Sequence, residues 1–175
     1  MKYWIDTEFI ERPFTIELIS IGIVAEDGRE FYTESSEVDW TKASQWTLQT
    51  VRPQLDGRNM PREEIGYAVR RFIEKDETPV FWGYFAAFDW VLFGWLFGSM
   101  HEQPFHFPAL CLDIKQWAIE IGDPELPPQI GASHHALADA RWTRDAWAFL
   151  KNLDPAASER RSRGSKPPDR RGGSL

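Results

Sequence analysis

The chain has 175 residues, of which 42% are hydrophobic, so it is long enough for one compact domain and too short for two ordinary ones. Its single cysteine, Cys111, excludes an intrachain disulfide and fits a reducing compartment. The longest apolar run, residues 90–97, is far shorter than the ~20 residues that cross a bilayer, so we expect a soluble cytoplasmic protein with no membrane partner. The net charge of -7 argues against nucleic-acid binding through a broad basic face.

The amino-terminal part of the chain predicts a β-meander. Residues 3–9, 15–25 and 29–33 are rich in β-forming side chains, and each run is bounded by turn-forming residues. Asp27-Gly28, between the second and third runs, is a hairpin-turn signal. We therefore expect three consecutive antiparallel strands.

Helices and strands alternate after the meander. Pro61 is typical of the first turn of a helix, and the apolar residues that follow it at one-face spacing are Ile65, Val69, Phe72 and Ile73. The other predicted elements are a strand at 79–84, a buried helix at 86–97, a short strand at 109–114 and a final helix at 136–150. This order predicts an α/β fold with a central mixed sheet flanked by helices.

Two acidic residues share one face of the first predicted strand. Side chains alternate along a strand, so Asp6 and Glu8 point to the same side of the sheet. The spacing alone is weak, because Asp123 and Glu125 repeat it in a proline-rich loop. Asp6 and Glu8, however, lie in the β-rich run YWIDTEFI, where like charges repel unless a cation binds between them. This pair is therefore a candidate metal site, against the alternative of an exposed acidic strand end.

A third carboxylate, Asp89, lies at the start of the most apolar predicted helix. An unpaired charge there would be costly, so the residue needs a metal, an arginine or a helix amino terminus as its partner. A purely structural carboxylate at the start of a helix remains the alternative.

The segment HHALADA adds a histidine and a fourth carboxylate. His134 precedes Asp139 by five positions, and His135 precedes it by four. On a continuous helix, the four-residue spacing would place His135 beside Asp139. Local geometry therefore leaves the choice between the two histidines open.

The order Asp6, Glu8, Asp89, His134, Asp139 resembles the DEDDh family of 3′-to-5′ exonucleases over residues 2–151. That family has D-x-E on its first strand, a Phe-Asp pair near the middle and a histidine five residues before the last aspartate. The tyrosine subclass would need a tyrosine four residues before Asp139, where His135 stands. The opening YWIDTEFIE, followed by TIELISIGIVAEDGREFY, resembles a narrower group of small actinobacterial polyadenylate-specific 3′-exoribonucleases.

The resemblance implies a ribonuclease H-like three-layer fold and a site with two Mg²⁺ or Mn²⁺ ions. Asp6, Glu8 and Asp139 would hold one ion, Asp6 and Asp89 the second, and His134 would act as general base. The backbone around Thr7 and Phe9 would contact the terminal nucleotide. Many members carry His-Asn before the Phe-Asp pair, and here Tyr84 and Phe85 take those places, so aromatic stacking replaces an amide contact.

The implied partners are the 3′ ends of RNA, single-stranded or overhanging, with polyadenylate as a candidate substrate. Products would be nucleoside 5′-monophosphates such as AMP, and the resemblance suggests a homodimer. Two alternatives are a DNA-directed or mixed exonuclease and a non-catalytic nucleotide-binding scaffold.

The end of the chain differs in composition from the rest. Residues 155–175 are rich in Pro, Gly, Ser and Arg and carry a net charge of +4, which leaves -11 on the remainder. We therefore expect one exonuclease domain at 1–153 and a disordered basic tail at 154–175, either simply solvated or acting as a loose tether for nucleic acid.

Overall fold

The structure, a computed structural model, describes residues 1–73, 76–99 and 101–154. Within these ranges six strands form one mixed sheet in the order β4-β3-β2-β1-β5-β6. The strands are β1 (Lys2–Arg12), β2 (Thr15–Ala25), β3 (Glu30–Ser35), β4 (Asn59–Met60), β5 (Val80–Gly83) and β6 (Leu112–Asp113). Strands β1 to β3 are antiparallel, whereas β4, β5 and β6 each run parallel to their neighbour. The predicted meander is confirmed, and Gly28 has a φ of 89° in the turn between β2 and β3.

Five α-helices lie in the described part of the chain. They are α1 (Gln45–Thr50), α2 (Arg62–Ile73), α3 (Ala87–Trp95), α4 (Ile114–Glu120) and α5 (Ala136–Leu153). Helix α2 begins directly after Pro61, with glutamates in its first turn and arginines in its last, as the helix dipole favours.

The helices cover both faces of the sheet because side chains alternate along β1. Tyr3 and Ile5 pack with buried residues of α2 and α3 on one face. Trp4 packs with buried residues of α4 and α5 on the other. The predicted α/β fold with a mixed sheet is therefore confirmed, and its three layers are those of a ribonuclease H-like fold.

The strand predicted at residues 109–114 was wrong in length. Only Leu112–Asp113 pairs with β5, and α4 begins at the next residue. The Asp113 side chain accepts hydrogen bonds from the amides of Lys115 and Gln116, which caps α4 and turns the chain out of the strand.

The segment between β3 and β4 folds into short helices that the sequence did not predict. Helix α1 is capped by Ser44 and is flanked by 3₁₀ turns at Trp40–Lys42 and Arg52–Gln54. Val51 joins Ile10 and Ile19 in a small apolar cluster beneath this segment. The segment therefore extends the layer that contains α4 and α5.

Gly22 on β2 is the point where α5 approaches the sheet most closely. It pairs with Asp6 on β1, and a Cβ at this position would lie 2.4 Å from the carbonyl carbon of Ala136. Only a residue without a side chain allows the amino terminus of α5 to lie directly beside Asp6.

Two further expectations concern membrane-spanning helices and the boundary of the predicted tail. No helix of the described residues is long and apolar enough to span a membrane. Asp154, the first residue of the predicted tail, is buried and accepts a hydrogen bond from the Trp117 indole at 2.9 Å. Residues 155–175 lie outside the described ranges.

Candidate active site

Asp6 and Glu8 lie on the face of β1 that α5 covers. Their partners on β2 are Gly22 and Ser20, and the strand register shifts immediately after Glu8. Glu8 is buried and Asp6 is partly buried. The two carboxylates therefore share one side of the sheet, as expected from their spacing.

Asp89 reaches the same region from the first turn of α3. It is buried, and its Oδ1 accepts hydrogen bonds from the Thr7 amide at 2.8 Å and the Thr7 hydroxyl at 2.5 Å. The partner that the buried carboxylate required is therefore Thr7. The Thr7 amide, which was expected to contact a terminal nucleotide, is already bonded to Asp89 in the structure.

His134 and His135 occupy different positions because α5 begins only after His135. His135 is the N-cap residue, its Nδ1 accepts from the Ala138 amide at 3.4 Å, and its ring stacks on Tyr32 at 4.4 Å. His134 lies before the helix with a φ of 63°, so the four-residue rule for a continuous helix does not apply. Its amide donates to Asp139 Oδ2 at 2.9 Å.

The structure brings His134, rather than His135, to the carboxylates. One potential ligand atom from each of Glu8, His134 and Asp139 lies within 4.8 Å of the others. Asp139 is in the first turn of α5, and its Oδ1 also accepts a hydrogen bond from the side-chain Nε2 of Gln129.

Burial and repulsion between charges raise the pKa values of Asp6, Glu8 and Asp89. Desolvation is the main cause of the strongly raised pKa of Asp6, followed by the charges of Asp89, Asp139 and Glu8. The pKa of Glu8 is raised to about 8, by burial first and then by Asp139 and Asp89. Burial also raises the pKa of Asp89 to about 6, although its hydrogen bonds from Thr7 oppose the shift.

The raised pKa values bear on whether the acidic residues fit a metal ion. Asp6, Glu8 and Asp89 are harder to ionise than in water, and a divalent cation would remove that penalty by neutralising the shared charge. Carboxylate oxygens are also the donors that Mg²⁺ and Mn²⁺ prefer. The set Asp6, Glu8, Asp89 and Asp139 therefore fits a hard divalent cation.

A cleft of about 340 Å³ opens onto the cluster. Its lining includes Asp6, His134, Asp139, Tyr84 and Trp142. Tyr84 contacts the Trp142 ring edge-on at 4.8 Å, so its ring forms one wall.

Aromatic side chains also surround the start of α3. Phe85 is 63% exposed and has a φ of 55°, and it contacts Tyr84 at 4.6 Å. The half-buried ring of Phe9 packs against the exposed Phe88 at 5.6 Å. These rings could stack on nucleotide bases, which is worth about 1–3 kcal/mol per base.

Sequence reasoning missed three residues that touch this site. Gln129 lies in a loop without periodic pattern, Trp46 meets the His134 ring edge-on at 5.0 Å, and Phe88 extends the aromatic surface. Only the Phe-Asp pair itself could have pointed to Phe88. The repeated D-x-E spacing takes no part in the cluster: Asp123 is exposed and paired with Lys115 at 2.6 Å.

A family model described as the 3′-5′ exoribonuclease Rv2179c-like domain matches residues 1–151. Two relatives from Mycobacterium tuberculosis are each 39% identical over 162 residues, covering 89% of this chain and 96% of theirs. They are 3′-5′ exoribonuclease MT2234.1 of strain CDC 1551 / Oshkosh and 3′-5′ exoribonuclease Rv2179c of strain ATCC 25618 / H37Rv. The resemblance drawn from the sequence is confirmed, and the chain belongs to the 3′-5′ exoribonuclease Rv2179c-like family.

Proposed function

We propose that the protein is a metal-dependent 3′-5′ exoribonuclease that hydrolyses the terminal phosphodiester of single-stranded RNA or of a 3′ overhang. Its products are nucleoside 5′-monophosphates such as AMP, and polyadenylate is a candidate substrate. The observation that carries the proposal is the convergence of four carboxylates from β1, α3 and α5 with His134 from the loop before α5. The family to which the chain belongs supports the exoribonuclease activity.

The four acids are the proposed holders of two Mg²⁺ or Mn²⁺ ions. Asp6, Glu8 and Asp139 are assigned to one ion, and Asp6 and Asp89 to the other. When bound, such ions neutralise phosphate charge and activate a water for in-line attack. Thr7 contributes indirectly, since its two hydrogen bonds fix the carboxylate of Asp89.

His134 is the proposed general base. Its ring lies beside Glu8 and Asp139 and edge-on to Trp46, and its amide is anchored on Asp139. These contacts hold the imidazole at the cluster, where it takes a proton from the attacking water. The imidazole of His135 is already engaged as the cap of α5 and against Tyr32.

The terminal nucleotide is proposed to lie in the cleft between the carboxylates and the aromatic residues. Tyr84 lines the cleft, Phe85 contacts Tyr84, and Phe9 packs against Phe88 at the start of α3. These side chains stack on bases without reading their identity, so they favour a broad substrate range.

A homodimer is also proposed. Phe88, Val91 and Trp95 are exposed and recur at helical spacing along one face of α3. A row of large apolar side chains in water is typical of an interaction surface.

The test is hydrolysis of labelled single-stranded RNA, matched DNA and a duplex with a 3′ overhang, in Mg²⁺, Mn²⁺ or EDTA. Asp6→Asn and Asp139→Asn are expected to abolish mononucleotide release, whereas Asp123→Asn, the control from the exposed D-x-E loop, keeps wild-type activity. His134→Ala should slow turnover by about 10²–10⁴-fold, and His135→Ala much less once its loss of stability is allowed for. Wild-type rates in Asp139→Asn would refute the site. Faster cleavage of DNA would assign a DNA-directed enzyme, and AMP binding without hydrolysis would assign a scaffold.

A further inference from the structure

A second recess, of about 510 Å³, lies on the same face of the sheet as the carboxylate cluster. Its lining includes Glu34, Ser36, Trp40, Arg52 and Asn59. Across the sheet, Glu34 on β3 pairs with Ser20 on β2, which pairs with Glu8 on β1. Neighbouring strands are about 4.8 Å apart, so the recess begins roughly 10 Å from the cluster.

Ring stacking and hydrogen bonds link the residues between the carboxylate cluster and the recess. Tyr32 stacks on His135, and its hydroxyl donates to Glu34 Oε1 at 2.9 Å. The same oxygen accepts from the amides of Asp56 at 2.6 Å and Gly57 at 2.9 Å. The Glu34 carboxylate therefore holds the loop at the edge of the recess, and three donors offset its charge.

Arg52 is a cation of this recess without an acidic partner. Its guanidinium lies over the Trp40 ring at 5.1 Å, and no carboxylate within the described residues forms an ion pair with it. Other cations of the neighbouring loops are paired: Lys42 with Asp39 and Glu17, Arg58 with Asp56, and Arg62 with Glu17 and Glu37. An arginine without a carboxylate partner keeps its guanidinium donors available for a phosphate.

Trp46 is an exposed aromatic residue beside the cluster. It is 54% exposed on α1 and contacts His134, and Arg52 follows two residues after the end of this helix. An RNA strand leaving the cluster across Trp46 would have one base available for stacking and would then bring a phosphate to Arg52.

We propose that this recess is an upstream RNA subsite, in which Arg52, held over the Trp40 ring, binds a phosphodiester about two to three nucleotides from the scissile bond. The inference rests on the proposed exoribonuclease function and deepens it. It gives the enzyme a reason to prefer strands longer than a dinucleotide, although its overall charge repels RNA.

The experiment compares Arg52→Gln with Arg70→Gln. Arg70 is exposed on α2, on the opposite face of the sheet, and its substitution removes the same charge. With an octanucleotide, Arg52→Gln is expected to raise KM about three- to tenfold at unchanged kcat, while hydrolysis of a dinucleotide stays at wild-type values. The slope of log Kd against log salt for the octanucleotide should fall by about 0.7, as for one lost phosphate contact. Arg70→Gln should change none of these quantities.

Binding is also measured with Asp139→Asn as the background, so that the result does not depend on turnover. If the wild type hydrolyses neither substrate, the proposed function fails, and the Arg52→Gln binding comparison still decides the subsite. Equal losses for the dinucleotide and the octanucleotide, or unchanged octanucleotide binding, would overturn the inference. Loss of free AMP binding in Arg52→Gln would overturn it as well, because the recess would then be a mononucleotide site.

Discussion

Raising the pH from 5 to 8 in EDTA is expected to destabilise the protein, because buried acids of the cluster hold protons in the folded state. The pKa of Glu8 is raised from 4.5 to about 8, so between these values the folded chain binds more protons than the unfolded chain. The free energy of unfolding then falls as the pH rises, and the stability from this residue is fully present only below about pH 4.5.

The size of the effect follows from the shift. One pKa unit corresponds to about 1.36 kcal/mol, so Glu8 contributes at most about 5 kcal/mol, of which about 3–4 kcal/mol is lost between pH 5 and 8. The raised pKa values of Asp6 and Asp89 add to the loss in the same direction. Mg²⁺ should reverse it at pH 8 and have little effect at pH 5, where it competes with protons.

The assay is urea unfolding of the wild type, Glu8→Gln and the exposed control Glu64→Gln at pH 5, 6.5 and 8, in EDTA and in Mg²⁺. Glu8→Gln should lose less stability with rising pH than the wild type, and Glu64→Gln should follow the wild type. A flat profile for the wild type in EDTA would refute the reasoning. So would a Glu8→Gln profile parallel to that of the wild type.

Two further predictions concern α3. Thr7→Val removes the hydroxyl that donates to Asp89, so it should destabilise the protein by about 1.5–3 kcal/mol and lower kcat. Thr7→Ser keeps the hydroxyl and should keep the stability and kcat of the wild type. Equal activity of the two variants would contradict the role of Thr7. Trp95→Glu places a charge in the exposed row of α3 and should convert a dimer into a monomer by light scattering, while an unchanged dimer would locate the interface elsewhere.

Much of the central sheet could be predicted, because local patterns determine it. The run at residues 15–25 matches β2 at both ends, since Asp27-Gly28 fixes the turn that follows it and alternation fixes the strand. The strand at 109–114 failed because Asp113 caps a helix. An aspartate before the apolar spacing of Ile114, Trp117 and Ala118 was a usable signal for that cap.

The sequence predicts which residues form the candidate site but not their local backbone geometry. The spacing of Asp6 and Glu8 places them on one face in any strand. The choice between His134 and His135, by contrast, depends on the residue at which α5 begins and on the left-handed backbone of His134. The contacts of Gln129 and Trp46 arise from loops and short helices folded over the sheet, which no periodic pattern encodes.

The geometry of the site depends on Gly22, although this residue contributes no chemical group to it. Asp6 comes from one end of the domain and Asp139 from the other, and their separation depends on how closely α5 lies on β2. Even one methyl group at position 22 would push α5 outward and move Asp139 away from the other three acids. Random mutagenesis that selects for loss of nuclease activity should therefore recover substitutions at Gly22, a residue with no side chain to contact RNA or metal.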